Sequence, residues 1–389
     1  MPTANKRLYE IDGLRFVAAM AVVMCHFAGV PTGAWAHGGR ATFPELNPAA
    51  DFGYLGVDLF FVISGFVVLM SLWDRRPADF VVSRVVRMFP AYWACLILAA
   101  VIYYTTGWGV DYGSANEGMW QRLVSNVAMM QTGEGGQLME LVYWSLWIEL
   151  HFYGLIVFLC WRGVTYRRTL IFMTGWLLLG VFADETKFSV LQFLFVPRWG
   201  PYFVAGMAFY LIYRYGANLV LWLVIGASWS LMAYAGVKQI NPLIAWPGVH
   251  QYVVPAVITL IFVVMGLVAT DRLRFMRWRW LAPLGALTYP LYLLHETVSR
   301  PIIHALQPRL NKWTVLAIAI AAVVASAYLI HRLIERPLQR VMTVHLKRAI
   351  QQIRLEPPVL DRSERREPVQ ATARPAVTAT ESSSTPQLR

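Results

Sequence analysis

Ten stretches of this sequence stay apolar for about the twenty residues a helix needs to cross the hydrocarbon core of a bilayer. They are 11–30, 54–73, 88–106, 142–161, 168–184, 199–214, 218–236, 252–270, 281–303 and 313–332. In lipid, every backbone polar group must find its partner within the protein, so such a chain is restricted to packed helices. The fold class expected is therefore all-α, a polytopic bundle of about 10 transmembrane helices. Only 14% of residues are charged, where a soluble domain carries about 25%. The net charge of +12 does not argue for nucleic acid, because much of it lies in short loops, where basic residues set membrane orientation. With the N-terminus in the cytoplasm, the inside loops hold thirteen basic residues (Lys6, Arg7, Arg75, Arg76, Arg84, Arg87, Arg162, Arg167, Arg168, Arg272, Arg274, Arg277 and Arg279). The outside loops then hold seven (Arg40, Arg122, Lys187, Arg198, Lys238, Arg309 and Lys312). An even number of spans returns the C-terminus to the cytoplasm as well.

Residues 1–340 form the transmembrane domain in this reading, and 341–389 a basic, largely disordered cytoplasmic tail. Residues 356–389 in particular mix Pro, Ser, Thr and charge without an apolar period. The longest outer loops are 31–53 and 107–141; within the second, 119–131 is too short and polar to span and reads as an interfacial or re-entrant helix. Cys25, Cys95 and Cys160 lie in apolar segments without ligand spacing, as small core residues. The first apolar stretch lacks a cleavage site and should persist as a helix. No metal motif, Walker A, HExxH or GxSxG is present.

Ionisable residues inside these segments are the candidates for function, because charge at membrane depth is costly and usually faces a protein interior or a watery cavity. The first helix carries Asp12, Arg15 and His26. Eleven residues are three turns plus roughly 20°, so a regular helix puts Arg15 and His26 on one face about 16 Å apart. The second carries Asp58 among Gly56, Ser64 and Gly65; the small residues suit close helix packing, while the carboxylate needs a partner. Arg84 and Arg87 are one turn apart, a spacing that suits phosphate oxygens as well as it suits ordinary anchoring at the cytoplasmic surface. Ser145 and Glu149 share a face at i, i+4, with Glu149 too deep to be a surface charge: an acid/base group, the orienter of His26, or half of an ion pair. His295, Glu296 and Arg300 lie on the ninth segment, where His295 reads first as a helix–helix contact. Glu335 and Arg336 read as an anchoring pair. The abundant Trp and Tyr read as interfacial belts. Histidine as a base, a carboxylate to fix its tautomer and arginines at the cytoplasmic mouth fit group transfer from a phosphorylated carrier to a hydroxyl.

Five motifs then carry a resemblance: Arg15-x10-His26, Tyr54-Leu-Gly-Val-Asp-Leu-Phe-Phe-Val-Ile-Ser-Gly65, Arg84-x-x-Arg87 ahead of Pro90-Ala-Tyr-Trp93, Trp144-Ser-Leu-Trp-Ile-Glu149, and Tyr292-Leu-Leu-His295. In this order, over about residues 8–338, the chain resembles the bacterial membrane acyltransferase-3 family. The resemblance implies an integral-membrane O-acyltransferase, in its standalone form, of the bacterial inner (cytoplasmic) membrane. It would move an acetyl or other short acyl group from acetyl-CoA or another acyl-CoA, without a metal, to a hydroxyl of a cell-surface or exported glycan. His26 matches the family's base, Arg15 its hallmark partner, Arg84 and Arg87 its arginine motif for the coenzyme phosphates, and Glu149 its acidic position. Asp58 or Glu149 would orient His26, and Ser145 and His295 would line the substrate path. The partners implied are a glycan or other hydroxyl acceptor and membrane lipids, with no nucleic acid; whether the protein forms an oligomer is left open. Two rivals stand beside this reading: an acyltransferase for a small-molecule or lipid acceptor such as a macrolide, and a proton-coupled secondary transporter using the same carboxylates and histidines as a relay.

Overall fold

A computed structural model describes residues 7–29, 34–73, 75–107, 119–129, 138–238 and 247–355. The ten apolar stretches each fall on a helix: α1 (Tyr9–Met24), α2 (Gly56–Leu72), α3 (Pro77–Thr106), α4 (Trp144–Trp161), α5 (Tyr166–Thr186), α6 (Gly200–Tyr215), α7 (Leu219–Lys238), α8 (Pro247–Ala269), α9 (Leu281–Leu306) and α10 (Lys312–Ile330). A further helix, α11, covers Arg336–Leu355, so residues 341–355 are helical, while 356–389 lie outside the described residues. Residues up to Lys347 form one compact unit and Arg348–Arg389 a second; the site lies wholly in the first. The described residues are helix, turn and loop, with no strand.

Eight helical stretches are long and apolar enough to cross a membrane, and the chain is a multi-pass membrane protein. The two apolar segments that miss this mark do so for different reasons. α6 has only 16 residues, but it is buried continuously from Gly200 to Ile212, so it is central to the bundle without being long. α9 has 26 residues, and its hydropathy is diluted by His295, Glu296 and Arg300, all buried. Apolar side chains such as Leu178, Phe182, Leu223 and Val263 stay exposed on α5, α7 and α8, as expected of faces that meet lipid tails rather than water.

The packing of α2 on α6 depends on two glycines. A Cβ on Gly206 would stand 2.0 Å from Val62 O, and one on Gly65 2.2 Å from Phe203 O. Small residues at a crossing bring the backbones into van der Waals contact, which is the main source of helix association in lipid. Ser64, grouped with Gly56 and Gly65 as a packing residue on sequence grounds, instead donates its hydroxyl to Glu149 Oε1 at 2.8 Å.

The helix Met119–Asn126 packs against α3: Tyr92 OH donates to Asn126 O at 2.6 Å, and Trp93 Nε1 to Val127 O at 3.0 Å. Residues 108–118 and 130–137 of that loop lie outside the described residues.

At the end of the bundle that carries Arg7, an ion-pair network joins α1 to the segment before α9. Arg277 Nε donates to Glu10 Oε1 at 3.0 Å and Nη2 to Asp271 Oδ1 at 2.5 Å, and Arg274 pairs with Asp271 from the other side. Arg277, a topology charge on sequence grounds, is thus a structural one, 15% exposed against 2% for Glu10. The hydrogen bond from Arg274, then the Arg277 charge, hold the Asp271 carboxyl below its ordinary range. A carboxyl depressed on folding stabilises above its unfolded value and loses that contribution as pH falls through its folded one. Asp271→Asn is therefore expected to lower the melting temperature at neutral pH, and the gap to the wild type to close as pH falls below about 4. A gap that stays constant down to that pH would show that the network does not act through this charge.

Candidate active site

α1 does not continue as a regular helix to His26. Cys25–Gly29 form a π-turn, which adds a residue to the turn and changes the angular position of the residues after it. Arg15 lines two partly open pockets, and His26 meets α9. The π-turn is held from outside: Trp35 Nε1 donates to Phe27 O at 2.9 Å, and Cys25 Sγ meets Asp51 O at 3.8 Å.

The partner of His26 is Glu296 on α9. Nδ1 lies 2.8 Å from Glu296 Oε1, and the same oxygen accepts from Arg300 Nη2 at 3.1 Å. The side chains of His26, Glu296 and Arg300 are 13%, 3% and 6% exposed, so the group is closed to bulk water. A carboxylate held by a guanidinium accepts rather than donates. Nδ1 therefore carries the hydrogen and Nε2 the lone pair. The orientation expected from Asp58 or Glu149 is thus supplied by Glu296. Asp58 instead accepts from Tyr202 OH at 2.9 Å. Glu149 accepts from Ser64 Oγ and from Tyr153 OH, the latter at 2.5 Å.

His295 is fully buried. Its Nδ1 meets Tyr292 O of its own helix at 2.8 Å, its Nε2 has no partner among the described residues, and its ring meets that of His26 edge-on at 5.1 Å. Ser145 Oγ and Tyr292 OH lie 2.7 Å apart, and both reach Val142 O.

Arg15, Arg84, Arg87, Ser145 and Glu149 converge on one partly open pocket, also lined by Phe60, Phe61, Tyr289 and Tyr292. Three guanidiniums face one carboxylate there, so the cavity is cationic and suited to an anion. Arg84 is 8% exposed. Its Nη2 donates to Ser71 Oγ at 2.9 Å, and its guanidinium lies over the rings of Phe80 and Tyr153 at 5.3 and 5.6 Å. A second cavity of about 990 Å³ shares Arg15, Val67, Arg87 and Tyr289 with the first and is also lined by Arg7, Asp12, His331 and Glu335. Glu335 is not anchored to Arg336 there. It is buried and accepts from His331 Nδ1 at 2.8 Å and Gln339 Nε2 at 3.0 Å. The two cavities adjoin, and ring contacts continue inward from Tyr292 to His295 (6.0 Å) and from His295 to His26.

The i, i+4 spacing of Glu296 and Arg300 is visible in the sequence, but the separation of 270 positions from His26 to Glu296 leaves no local signal of their pairing. Glu140, which no sequence motif singles out, is also buried, and its Oε1 accepts from Thr297 Oγ1 at 2.7 Å.

The family model described as "Acyltransferase domain" matches residues 8–332. Acyltransferase MdmB from Streptomyces mycarofaciens is 26% identical over 384 residues, which cover 88% of this chain and 94% of that protein. Peptidoglycan O-acetyltransferase OatA from Listeria monocytogenes serovar 1/2a is 28% identical over 181 residues, 41% of this chain and 26% of that protein. No solved structure matches the chain.

Proposed function

The chain belongs to the membrane acyltransferase-3 family, and from that membership we propose that it transfers an acetyl or similarly short acyl group from a cytoplasmic acyl-CoA to a hydroxyl of a cell-envelope or exported glycan. The observation that carries this reading is the pairing of a cationic pocket, walled by Arg15, Arg84 and Arg87, to the His26–Glu296–Arg300 group beyond it. The N-terminus and the Arg7 end of the bundle face the cytoplasm of a bacterial inner membrane, in keeping with the loop charges.

The donor's phosphates would be held by Arg84, Arg87 and Arg15, since guanidinium forks match phosphate oxygens bidentately. The wider cavity offers room for the nucleotide end, and the inner one for the pantetheine arm. Glu149 is fixed by Ser64 and Tyr153 in the wall of the inner cavity. There it balances part of the arginine charge while the donor is absent.

At the acyl end, Nε2 of His26 takes the proton of the acceptor hydroxyl as its oxygen attacks the thioester carbonyl. The C–O bond forms, the C–S bond breaks, and the imidazolium returns its proton to the departing thiolate. Glu296 stabilises the transient imidazolium through Nδ1–H, and Arg300 keeps Glu296 in place. The glycan acceptor is supported by the relative named for peptidoglycan O-acetylation.

The experiment is transfer of label from radiolabelled acetyl-CoA into envelope material, using membranes of the producing cells with and without the protein. Mass spectrometry of the glycan fraction then looks for the added acetyl. Label that appears only in small extractable molecules would move the acceptor from glycan to small molecule. Arg84→Ala is expected to raise the KM for acetyl-CoA about ten- to hundredfold, the worth of a hydrogen bond to a charged group. Arg84→Lys should recover part of this, keeping charge without the fork. An unchanged donor KM in both would take the phosphates away from Arg84.

A further inference from the structure

A second carboxyl lies behind the His26–Glu296 contact. Glu140 is 3% exposed and stands at the entry of the short turn Leu141–Tyr143 that leads into α4, its carbonyl accepting from Tyr143 N at 3.1 Å. Oε1 accepts from Thr297 Oγ1 at 2.7 Å, and Thr297 is the residue after Glu296 on α9. Oε2 of Glu140 and Oε2 of Glu296 are both buried without a partner among the described residues.

The segment is fixed from the other side. Met139 N donates to Asn126 Oδ1 at 3.0 Å, and Asn126 O accepts from Tyr92 OH at 2.6 Å. Glu140 is therefore a braced side chain at the end of a rigid chain of contacts from α3, through Met119–Asn126, to the turn of α9 that carries Glu296.

We propose that Glu140 is a positioning residue which holds Thr297 and so sets Glu296 beneath His26. The assignment rests on the acyl-transfer reading of that site. Its charge state follows from the charges around it. Glu296, Arg300 and His26 face Glu140, with Tyr143 on its own segment and Cys95 on α3. Burial and the like charge of Glu296 push the Glu140 carboxyl up, against the opposing pull of Arg300 and His26. Protonated, Glu140 keeps the bond from Thr297 and adds no charge. Glu296 then remains the one anion opposite His26, and its carboxyl is held on both sides. That precision matters because a reacting group displaced by about 1 Å can cost about a hundredfold in rate.

The test measures kcat and donor KM for transfer from radiolabelled acetyl-CoA in membranes of the producing cells, alongside the inserted amount and melting temperature of each variant. Glu140→Gln keeps a neutral acceptor for Thr297 and should transfer at close to the wild-type rate. Glu140→Leu should lower kcat about ten- to hundredfold with donor KM unchanged. Thr297→Val removes the same bond from the other end and should match it, and the double variant should be no worse than either alone. Glu140→Leu at the wild-type kcat would overturn the proposal. So would Glu140→Gln falling as far as Leu, losses that add in the double variant, or a kcat loss that only tracks loss of folded protein. Wild-type protein that transfers no label would sink the reading of the site, and this assignment with it; transfer that survives in Glu140→Leu sinks this assignment alone.

Discussion

Alanine in place of His26 is expected to lower acyl transfer about a hundred- to ten-thousandfold, the usual worth of a positioned acid–base group, while the protein remains folded and inserted. The bond from Nδ1 to Glu296 gives the other ring nitrogen its lone pair. His331 makes a like contact with Glu335, but beside the second pocket and away from the His26–His295 ring contact. The fold should tolerate the change because Glu296 keeps Arg300 at 3.1 Å, so no carboxylate is stranded. His26→Gln is the stricter control: its amide can still donate to Glu296, so the network survives, but it cannot take a proton. Both variants are measured for label transferred from acetyl-CoA, for inserted protein and for melting temperature. Transfer above about a tenth of wild type in either would take the imidazole out of the reaction. Rapid acid quenching separates direct attack from passage through an acyl-imidazole: label retained on wild-type protein and absent from His26→Ala identifies the covalent route.

The bundle was legible in the sequence because membrane helices are specified locally. Length and apolar run are enough, and each of the ten stretches lies on a helix. The arginine cavity was half legible: Arg84 and Arg87 are one turn apart, and the i, i+4 spacing of Ser145 and Glu149 sets both on the wall that the arginines share. The partner of His26 was not legible, for two physical reasons. First, His26 sits in the π-turn at Cys25–Gly29, which no composition rule announces. Second, ion pairing in a bundle is decided by which helices cross. Several buried carboxylates were therefore equivalent candidates until α9 was seen to cross α1. Asp58 had the more conspicuous position in an apolar run, yet its bond goes to Tyr202. Glu335, next to Arg336 in the chain, turns instead to His331 and Gln339.

Glu296→Ala is expected to have the largest combined effect, costing both transfer and about 3–5 kcal/mol of stability, because it removes one half of a buried ion pair and leaves the other charge in place. Arg300 is 5% exposed, so its charge stays out of bulk water when Glu296 is lost. The two losses have different origins and can be separated. Glu296→Leu combined with Arg300→Leu replaces the pair by apolar side chains, an exchange that is often neutral when the volume is kept. Most of the lost melting temperature should return in this double variant. Transfer should not return, because His26 still lacks the carboxylate that fixes its tautomer and meets its charge. Glu296→Gln falls between: it preserves shape and one acceptor oxygen, so stability drops less than in the alanine variant, but the neutral amide cannot balance an imidazolium. If the double leucine variant transfers label at the wild-type rate, Glu296 serves only to neutralise Arg300, and the base must be oriented by something else. If it stays as unstable as Glu296→Ala, the stranded-charge account of the first loss is wrong.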